Sequence, residues 1–182
     1  MLTKEDYRMH GLVCGRDNCY SFCPMCGSEL IFREVDGKIR PVCSTCSWVY
    51  FINPPPVVCV VPYRGEEVLL IKRGVAPKKG EWALPGGFVE VGEAPVEACL
   101  RELKEETGLV DIGKVDLISV ESQSGNRYGS VVVIGYAVQI ILGEKAVPGD
   151  DAQDLAWFSV KELPKMPFDS FERIVNKWLD IC

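Results

Sequence analysis

Residues 87–109 restrict the folds open to this chain more than any other stretch, because they combine helix boundaries with acids at fixed spacing. Pro95 suits the first turn of a helix, where its missing N–H is not needed, and Gly108 suits the left-handed residue that ends one. We therefore predict a helix over about residues 95–107. One of its faces would carry three carboxylates, and the opposite face an apolar stripe. The carboxylates belong to Glu102, Glu105 and Glu106, and the stripe consists of Val96, Cys99, Leu100 and Leu103.

The clustered carboxylates indicate a divalent metal site. Like charges at this spacing repel one another unless a cation lies between them, and all-oxygen ligands suit hard ions such as Mg2+ or Mn2+. The alternative is a solvated helix face on which Arg101 pairs with Glu105. The preceding loop, residues 81–87, favours the metal site, because Gly86 and Gly87 let the backbone and its carbonyl groups approach a ligand.

This stretch resembles the Nudix box of the Nudix hydrolases at every fixed position of that motif. The matching residues are Gly87, Glu93, Arg101, Glu102, Leu103, Glu105, Glu106, Gly108 and Leu109. The resemblance implies an α/β fold, namely an α/β/α sandwich with a mixed sheet, and Mg2+-dependent hydrolysis of a nucleoside diphosphate linked to another group. It also implies that Arg101 holds the catalytic carboxylates in place by ion pairing. The implied metal ligands are Glu102, Glu105, Glu106 and the Gly86 carbonyl oxygen.

Composition and charge limit the remaining function classes. A chain of 182 residues with 47% apolar residues suits one mid-sized domain with a small appendage. No apolar run is long enough to span a membrane, and charged residues interrupt residues 1–20, so we expect a cytoplasmic protein without a membrane partner. The net charge of −6 does not predict a nucleic-acid partner.

Four of the nine cysteines form two CxxC pairs separated by sixteen residues, a spacing typical of a structural zinc site. A hairpin signature, Asp36 followed by Gly37, lies between the pairs, so the segment resembles a zinc ribbon. A redox-active pair is the alternative for a single CxxC. The predicted zinc ligands are Cys23, Cys26, Cys43 and Cys46. The role of His10, Cys14 and Cys19 stays open, whereas Cys59, Cys99 and Cys182 are expected to be buried thiols.

These motifs predict two domains. An N-terminal segment, residues 1–52, would contain the ribbon at residues 22–50, and a Nudix domain would span residues 56–182 after a stiff proline connector. Strands are predicted at 57–63, 67–73, 115–121, 130–142 and 155–158, a helical turn at 160–163, and an amphipathic helix at 169–179 whose apolar face includes Phe171, Ile174, Val175 and Trp178.

Chemistry beyond the box needs an acid to help activate water and groups that bind the substrate. The resemblance to the Nudix hydrolases, whose members often supply an additional acid from the loop before the strand with the Trp-Phe pair, implies Asp151 and Asp154 as candidates for that acid. Further candidates for the carboxylate that activates water are Glu121, Glu144 and Asp150. The candidate substrate contacts are Arg73 and Arg127 for phosphate and Tyr128 for base stacking.

The ribbon, the proline-rich connector and the box together resemble the zinc-ribbon Nudix enzymes that act on FAD and ADP-ribose. This resemblance implies hydrolysis of the pyrophosphate bond of a nucleoside diphosphate derivative, with FAD or ADP-ribose favoured and AMP released. An NADH pyrophosphatase and a nucleoside triphosphate sanitiser are alternatives, although the post-box signature of NADH pyrophosphatases is represented only by Ser122 and Gln123. A nucleotide-sensing regulator that binds nucleic acid through the ribbon is an alternative from another class. The sequence leaves open whether the chain forms a homodimer.

Overall fold

The computed structural model describes residues 20–124, 130–141 and 145–181. Several residues named above lie outside these ranges, so their predicted roles stay predictions. They are His10, Cys14, Cys19, Arg127, Tyr128, Glu144 and Cys182.

The described residues form two compact units, of which the first holds residues 20–54 together with Ser124 and Ser130. It is built on a hairpin of strand β1, Leu30–Val35, and strand β2, Lys38–Cys43. Asp36 and Gly37 connect them with φ angles of 52° and 70°, as a tight hairpin turn requires. The hairpin predicted between the cysteine pairs is thus confirmed.

The second unit, residues 55–123 with the described part of 131–182, is organised around a six-stranded mixed sheet with the order β5-β4-β3-β7-β6, in which β8 also pairs with β4. β3 lies parallel to β7 and antiparallel to β4, and β4 lies antiparallel to β5 and β8. The strands are β3 Pro56–Arg64, β4 Glu67–Arg73, β5 Trp82–Ala83, β6 Ile112–Ser124, β7 Ser130–Ile140 and β8 Ala152–Ser159.

Two helices cover the two faces of this sheet, α1 at Pro95–Thr107 and α2 at Asp169–Ile181. Alternate residues of β3 point to opposite faces. Val58 and Val60 join a buried cluster with Leu103 of α1, whereas Cys59 and Val61 join a second cluster that contains the α2 core residues. The predicted α/β/α sandwich with a mixed sheet is confirmed. The α2 residues in the second cluster are Ile174, Val175 and Trp178, with Phe171 packed against them.

Three local predictions differ from the structure. Val96 is exposed rather than part of the apolar stripe of α1, and Glu106 is buried, because the inner face of α1 is rotated toward the glycine loop. Residues 160–163 do not form a helix but include one hydrogen-bonded turn, in which the Glu162 N–H donates to the Ser159 carbonyl oxygen at 2.9 Å. Asp154 lies within β8 rather than in the preceding loop. No helix in the described parts of the chain is long and apolar enough to cross a membrane.

Candidate active site and metal centre

Helix α1 has the ends that its sequence predicts. Pro95 occupies the first turn, and the Glu97 carboxylate accepts a hydrogen bond of 2.7 Å from the Ala94 N–H, which would otherwise lack a helical partner. Gly108 ends the helix with φ of 73°, and its N–H donates to the Lys104 carbonyl oxygen. The helix that carries the three glutamates is thus fixed at both ends.

The glycine loop binds directly to this helix. The Gly86 N–H donates a 2.8 Å hydrogen bond to Glu106 Oε2, and Gly86 has a φ of 151°. A Cβ atom on Gly86 would collide with the Val58 carbonyl oxygen, so only glycine fits. The neighbouring residues Pro85 and Gly87 accept hydrogen bonds from the β3 amides of Val60 and Val58. The sheet therefore holds Gly86, one of the predicted metal ligands, beside Glu106.

Arg101 forms ion pairs with Glu102 and Glu105 of α1 and with Glu93, which precedes the helix. Its Nη1 lies 2.6 Å from Glu102 Oε1 and 2.9 Å from Glu105 Oε2. Its Nε and Nη2 bind both carboxylate oxygens of Glu93, at 3.1 and 2.7 Å, and Nη2 also donates to the Phe88 carbonyl oxygen. A guanidinium with all its groups engaged in this way sets the orientation of two candidate metal ligands.

Glu93 is a further candidate positioning residue, to which the sequence reasoning assigned no role. Its hydrogen bonds with Arg101 hold the pKa of its carboxyl below the usual range. The signal was its fixed place in the box, eight residues before Arg101. Its partner could be identified only once the loop and helix had been placed in space.

Burial shapes the electrostatics of the two inner glutamates. Burial raises the pKa of Glu106 to about 8, against the lowering effect of the Gly86 N–H, and the nearby charge of Glu102 raises it further. Burial likewise raises the pKa of Glu102, while Arg101 opposes that change. Both sites therefore resist additional negative charge and favour an added cation.

The loop of residues 145–151 brings further acids to this end of α1. The Val147 and Gly149 amides donate to the carbonyl oxygens of Thr107 and Glu106, at 2.8 and 3.2 Å. The negative charge of Asp150 raises the pKa of Glu102, and that of Asp151 raises the pKa of Glu106. These two aspartates therefore lie within electrostatic range of the cluster.

The two predicted additional acids are not equivalent. The backbone of Asp151 is held by the Gly74 N–H, which donates to its carbonyl oxygen at 2.6 Å. Asp154 instead lies opposite Lys72 in the β4–β8 ladder, and its carboxylate accepts the 2.9 Å hydrogen bond of its own neighbour, Leu155. The structure thus places Asp151 near the cluster, whereas Asp154 is engaged in the strand.

Arg73 is the described candidate for a substrate contact. It lies at an irregularity in the β4–β8 ladder, donates through Nε to the Pro77 carbonyl oxygen at 2.9 Å, and lies over the Phe168 ring. Its charge lowers the pKa of Glu106, so Arg73 lies within electrostatic range of that carboxylate. The other candidate acid, Glu121, is engaged elsewhere, by Arg173 and Lys177 of α2 at 2.9 and 2.6 Å.

The four predicted zinc ligands converge in the first unit. Their sulfur atoms all lie within 4.8 Å of one another, with 3.6 Å between Cys23 and Cys46 and 3.4 Å between Cys26 and Cys43. A tetrahedral site with Zn–S bonds of about 2.3 Å has S···S edges of about 3.8 Å, so the geometry fits.

Amide groups complete this cysteine site. The Met25 amide donates to the Cys23 sulfur, and the amides of Thr45 and Cys46 donate to the Cys43 sulfur, at 3.3 to 3.4 Å. The Ser28 hydroxyl, followed by its amide, lowers the pKa of the Cys26 thiol to about 6. Such donors favour thiolates, the form that binds metal.

The glutamates of α1 do not gather as closely as the cysteines. In the described ranges, the four cysteines form the compact set of metal-ligand atoms, while Arg101 holds Glu102 and Glu105 and Gly86 holds Glu106. The donor chemistry nevertheless fits a hard cation, because the donors are oxygens and burial disfavours the charge of Glu106 unless a cation balances it.

Comparisons with known proteins agree with this geometry. The family model described as NUDIX domain matches residues 53–179. The chain is 40% identical over 129 residues to the ADP-ribose pyrophosphatase of Methanocaldococcus jannaschii, which covers 71% of this chain and 75% of that protein. It is 27% identical over 148 residues to the NAD-capped RNA hydrolase NudC of Pseudomonas aeruginosa, covering 80% of this chain but only 50% of that protein.

A solved structure extends the likeness beyond the box. The crystal structure of a NUDIX hydrolase from Nitrosomonas europaea has a TM-score of 0.72 and 27% sequence identity, and the match covers 88% of this chain and 91% of that one. The fold, the glycine loop bound to the glutamate helix and these matches together lead to one conclusion. The chain belongs to the Nudix hydrolase family.

Proposed function

We propose that the protein hydrolyses the pyrophosphate bridge of ADP-ribose. Water adds to one phosphorus atom, the bridging P–O bond breaks, and the products are AMP and ribose 5-phosphate. The observation that carries the proposal is the complete set of glutamates on α1, with Glu106 bound to the Gly86 amide and the other two held by Arg101. The 40% identical relative named ADP-ribose pyrophosphatase supports this choice of substrate.

The residues that would hold Mg2+ or Mn2+ are Glu102, Glu105, Glu106 and the Gly86 carbonyl group. When bound, such ions neutralise charge on the phosphates and lower the pKa of water. The chain's own contribution is positional: Arg101 orients Glu102 and Glu105, and the loop of residues 145–151 brings Asp151 to the cluster as a candidate acid for the attacking water. Arg73 would bind a phosphate oxygen through its Nη1 and Nη2 groups.

The choice of ADP-ribose or FAD over NADH is supported by the contacts of Ser122 and Gln123. The Gln123 side-chain oxygen accepts a hydrogen bond of 3.1 Å from the Ser170 amide of α2. The Ser122 carbonyl oxygen accepts a hydrogen bond of 2.8 Å from Arg173 Nη2. These two residues thus anchor the C-terminal helix. The similarity to NudC keeps NADH as the second candidate, although the chain spans about half the length of that relative.

A comparison of kcat/KM for ADP-ribose, FAD, NADH and dGTP at one Mg2+ concentration tests the proposal. We expect ADP-ribose to lead and FAD to be hydrolysed at a measurable rate, because a pocket discriminates by only about 10- to 200-fold per apolar group. A lead of NADH by more than tenfold would overturn the substrate choice, and a lead of dGTP would identify a nucleotide sanitiser. Binding of ADP-ribose without turnover of any substrate would identify a regulator.

We further propose that the cysteine site holds zinc in a structural role, since protein ligands fill all four positions. A cytoplasmic location is proposed from the free thiols of the described chain, among them the buried Cys59 and Cys99. The zinc content of the purified protein, measured by elemental analysis, tests the first point.

A further inference from the structure

One face of the ribbon hairpin carries all three cations that lie between the cysteine pairs. Arg33 of β1 is directly opposite Arg40 of β2, and Lys38 lies two residues from Arg40 along the same strand. Because side chains alternate along a strand, these three share a face. Of the two acids between Arg33 and Lys38 in the sequence, Glu34 belongs to the other face and Asp36 lies in the turn. Among the described residues, none of the three cations forms an ion pair, and the Arg40 Nε is buried without a hydrogen-bond partner.

An aromatic ring extends this row of cations. The Tyr50 amide donates to the Pro41 carbonyl oxygen and Val49 bridges Val42, so the chain after the second cysteine pair runs antiparallel to β2. That register places Phe51 beside Arg40, whose guanidinium carbon lies 4.6 Å from the ring centroid. The ring remains 48% exposed. Phe51, Arg40 and Arg33 therefore form one row across the hairpin, with Lys38 next to it, and this set is named the Arg–Phe face.

Two arginines directly opposite each other repel, and no carboxylate of the described residues relieves that repulsion. An anionic ligand with several charges would do so. Lys38 and Arg40 are separated by about 7 Å along the strand, a distance that suits neighbouring phosphates of an extended chain better than a single phosphate. The exposed ring and the flat guanidinium beside it offer a stacking surface that an acidic peptide would not use.

We propose that the Arg–Phe face binds single-stranded nucleic acid, with phosphates on the three cations and a base stacked on Phe51. From the sequence, nucleic-acid binding by the ribbon was only an alternative interpretation, because a count of three cations between the cysteine pairs does not show that they share a face. The site is sequence-independent and weak, with a dissociation constant of roughly 10−4 to 10−6 M. It is independent of the proposed hydrolysis, since it uses none of the glutamates of α1.

Fluorescence anisotropy with fluorescein-labelled ten-nucleotide oligouridylate and oligothymidylate tests the proposal on the full-length, zinc-containing chain. Binding by three cations predicts a log–log salt dependence with a slope of about −2, since each contributes about −0.7. The double variant Arg33→Gln/Arg40→Gln should weaken binding at least tenfold and reduce the slope to about −0.7. Phe51→Ala should weaken binding roughly 5- to 100-fold without changing the slope.

Matched controls separate this site from general charge effects. Lys161→Gln removes an exposed cation paired with Glu66 and should leave binding unchanged, and Phe51→Leu keeps apolar bulk but should behave like Phe51→Ala. Unchanged ADP-ribose hydrolysis in all variants would show that the Nudix domain remains intact. The proposal is overturned if no saturable binding occurs below 1 mM (roughly tenfold above the weak end of the expected range), if the double variant binds like the wild type, or if polyglutamate of equal charge competes as well as unlabelled oligonucleotide.

Discussion

The Glu102 carboxylate lies in the space that a Cβ atom on Gly87 would occupy. Gly87 has no positive φ that would demand glycine, so the constraint at this position comes from the carboxylate rather than from the backbone. The absence of a side chain on the loop is what lets Glu102 lie between Arg101 and the glycine pair. Gly87 therefore belongs to the active site although it contributes no functional group.

Gly87→Ala should displace the Glu102 carboxylate and lower kcat by about 100-fold, the loss that a misplacement of about 1 Å causes. The free energy of unfolding should change little, since the far end of a flexible side chain can move. Gly135→Ala is the matched control, because its Cβ would meet Ile174 in the core. Gly135→Ala should lower the free energy of unfolding and leave kcat of the folded fraction unchanged. Thermal unfolding and kcat, measured on both variants, therefore distinguish a loss of stability from a loss of catalysis. Wild-type activity of Gly87→Ala would contradict the assignment.

Glu105→Gln and Glu106→Gln test the two glutamates that are held by different partners. Each amide keeps the size of the side chain but removes a charged metal ligand, so hydrolysis should fall by roughly two to four orders of magnitude. Glu66→Gln, at an exposed acid paired with Lys161, should leave kcat unchanged. Near-wild-type turnover of both variants at saturating Mg2+ would contradict the assignment of Glu105 and Glu106 as metal ligands.

The structure separates the two aspartates that the sequence left equivalent. Asp151→Asn should lower kcat roughly 10- to 100-fold, because the carboxylate within range of Glu106 is lost. Asp154→Asn should stay within about twofold of the wild type, since its carboxylate serves the Leu155 amide. Steady-state kinetics with both variants at matched Mg2+ decides between them. Equal losses would show that Asp151 and Asp154 act only through overall charge.

Features with local causes were predictable from the sequence. Pro95 and Gly108 act on their own turns of the chain, so both ends of α1 were predicted correctly, and the two CxxC pairs were sufficient to predict the cysteine cluster. The hairpin of β1 and β2 followed from the Asp36–Gly37 turn for the same reason.

Features that depend on backbone contacts between distant segments were not predictable. The approach of Asp150 and Asp151 to the glutamates depends on amides of residues 147 and 149 that bind the last carbonyl groups of α1, and such bonds leave no side-chain pattern. The burial of Glu106 contradicts the helical periodicity, because the glycine loop covers part of the acidic face.

Loss of the proposed zinc should unfold the first unit. The double variant Cys23→Ser/Cys43→Ser removes two zinc ligands, and a chelator removes the metal itself. In both cases the energy of zinc binding is lost, and in so small a unit that energy is largely the folding energy. Amide hydrogen exchange should then accelerate throughout β1 and β2, while amides of β3 remain protected. About one zinc per chain is expected in the untreated protein. Ribbon amides that stay protected in the double variant would contradict the structural role.

The ion pairs of Glu121 with Arg173 and Lys177 predict an acid-sensitive attachment of α2 to β6. Lys177 and then Arg173 lower the pKa of Glu121 to about 2, while burial opposes that change. Because the folded pKa lies below the unfolded value of about 4.3, the stabilisation is complete above that value and is lost as the pH falls toward 2. Since Arg173 and Lys177 are about half exposed, screening limits it to on the order of 1 kcal/mol.

The variant Glu121→Gln isolates this effect, because every other carboxyl group titrates alike in both proteins. The difference in unfolding free energy between wild type and variant, measured by urea denaturation, should be largest at pH 6 to 7 and should shrink steadily between about pH 4.5 and pH 2.5. A difference between wild type and Glu121→Gln that does not vary with pH would show that the carboxylate acts through packing, and not through its charge.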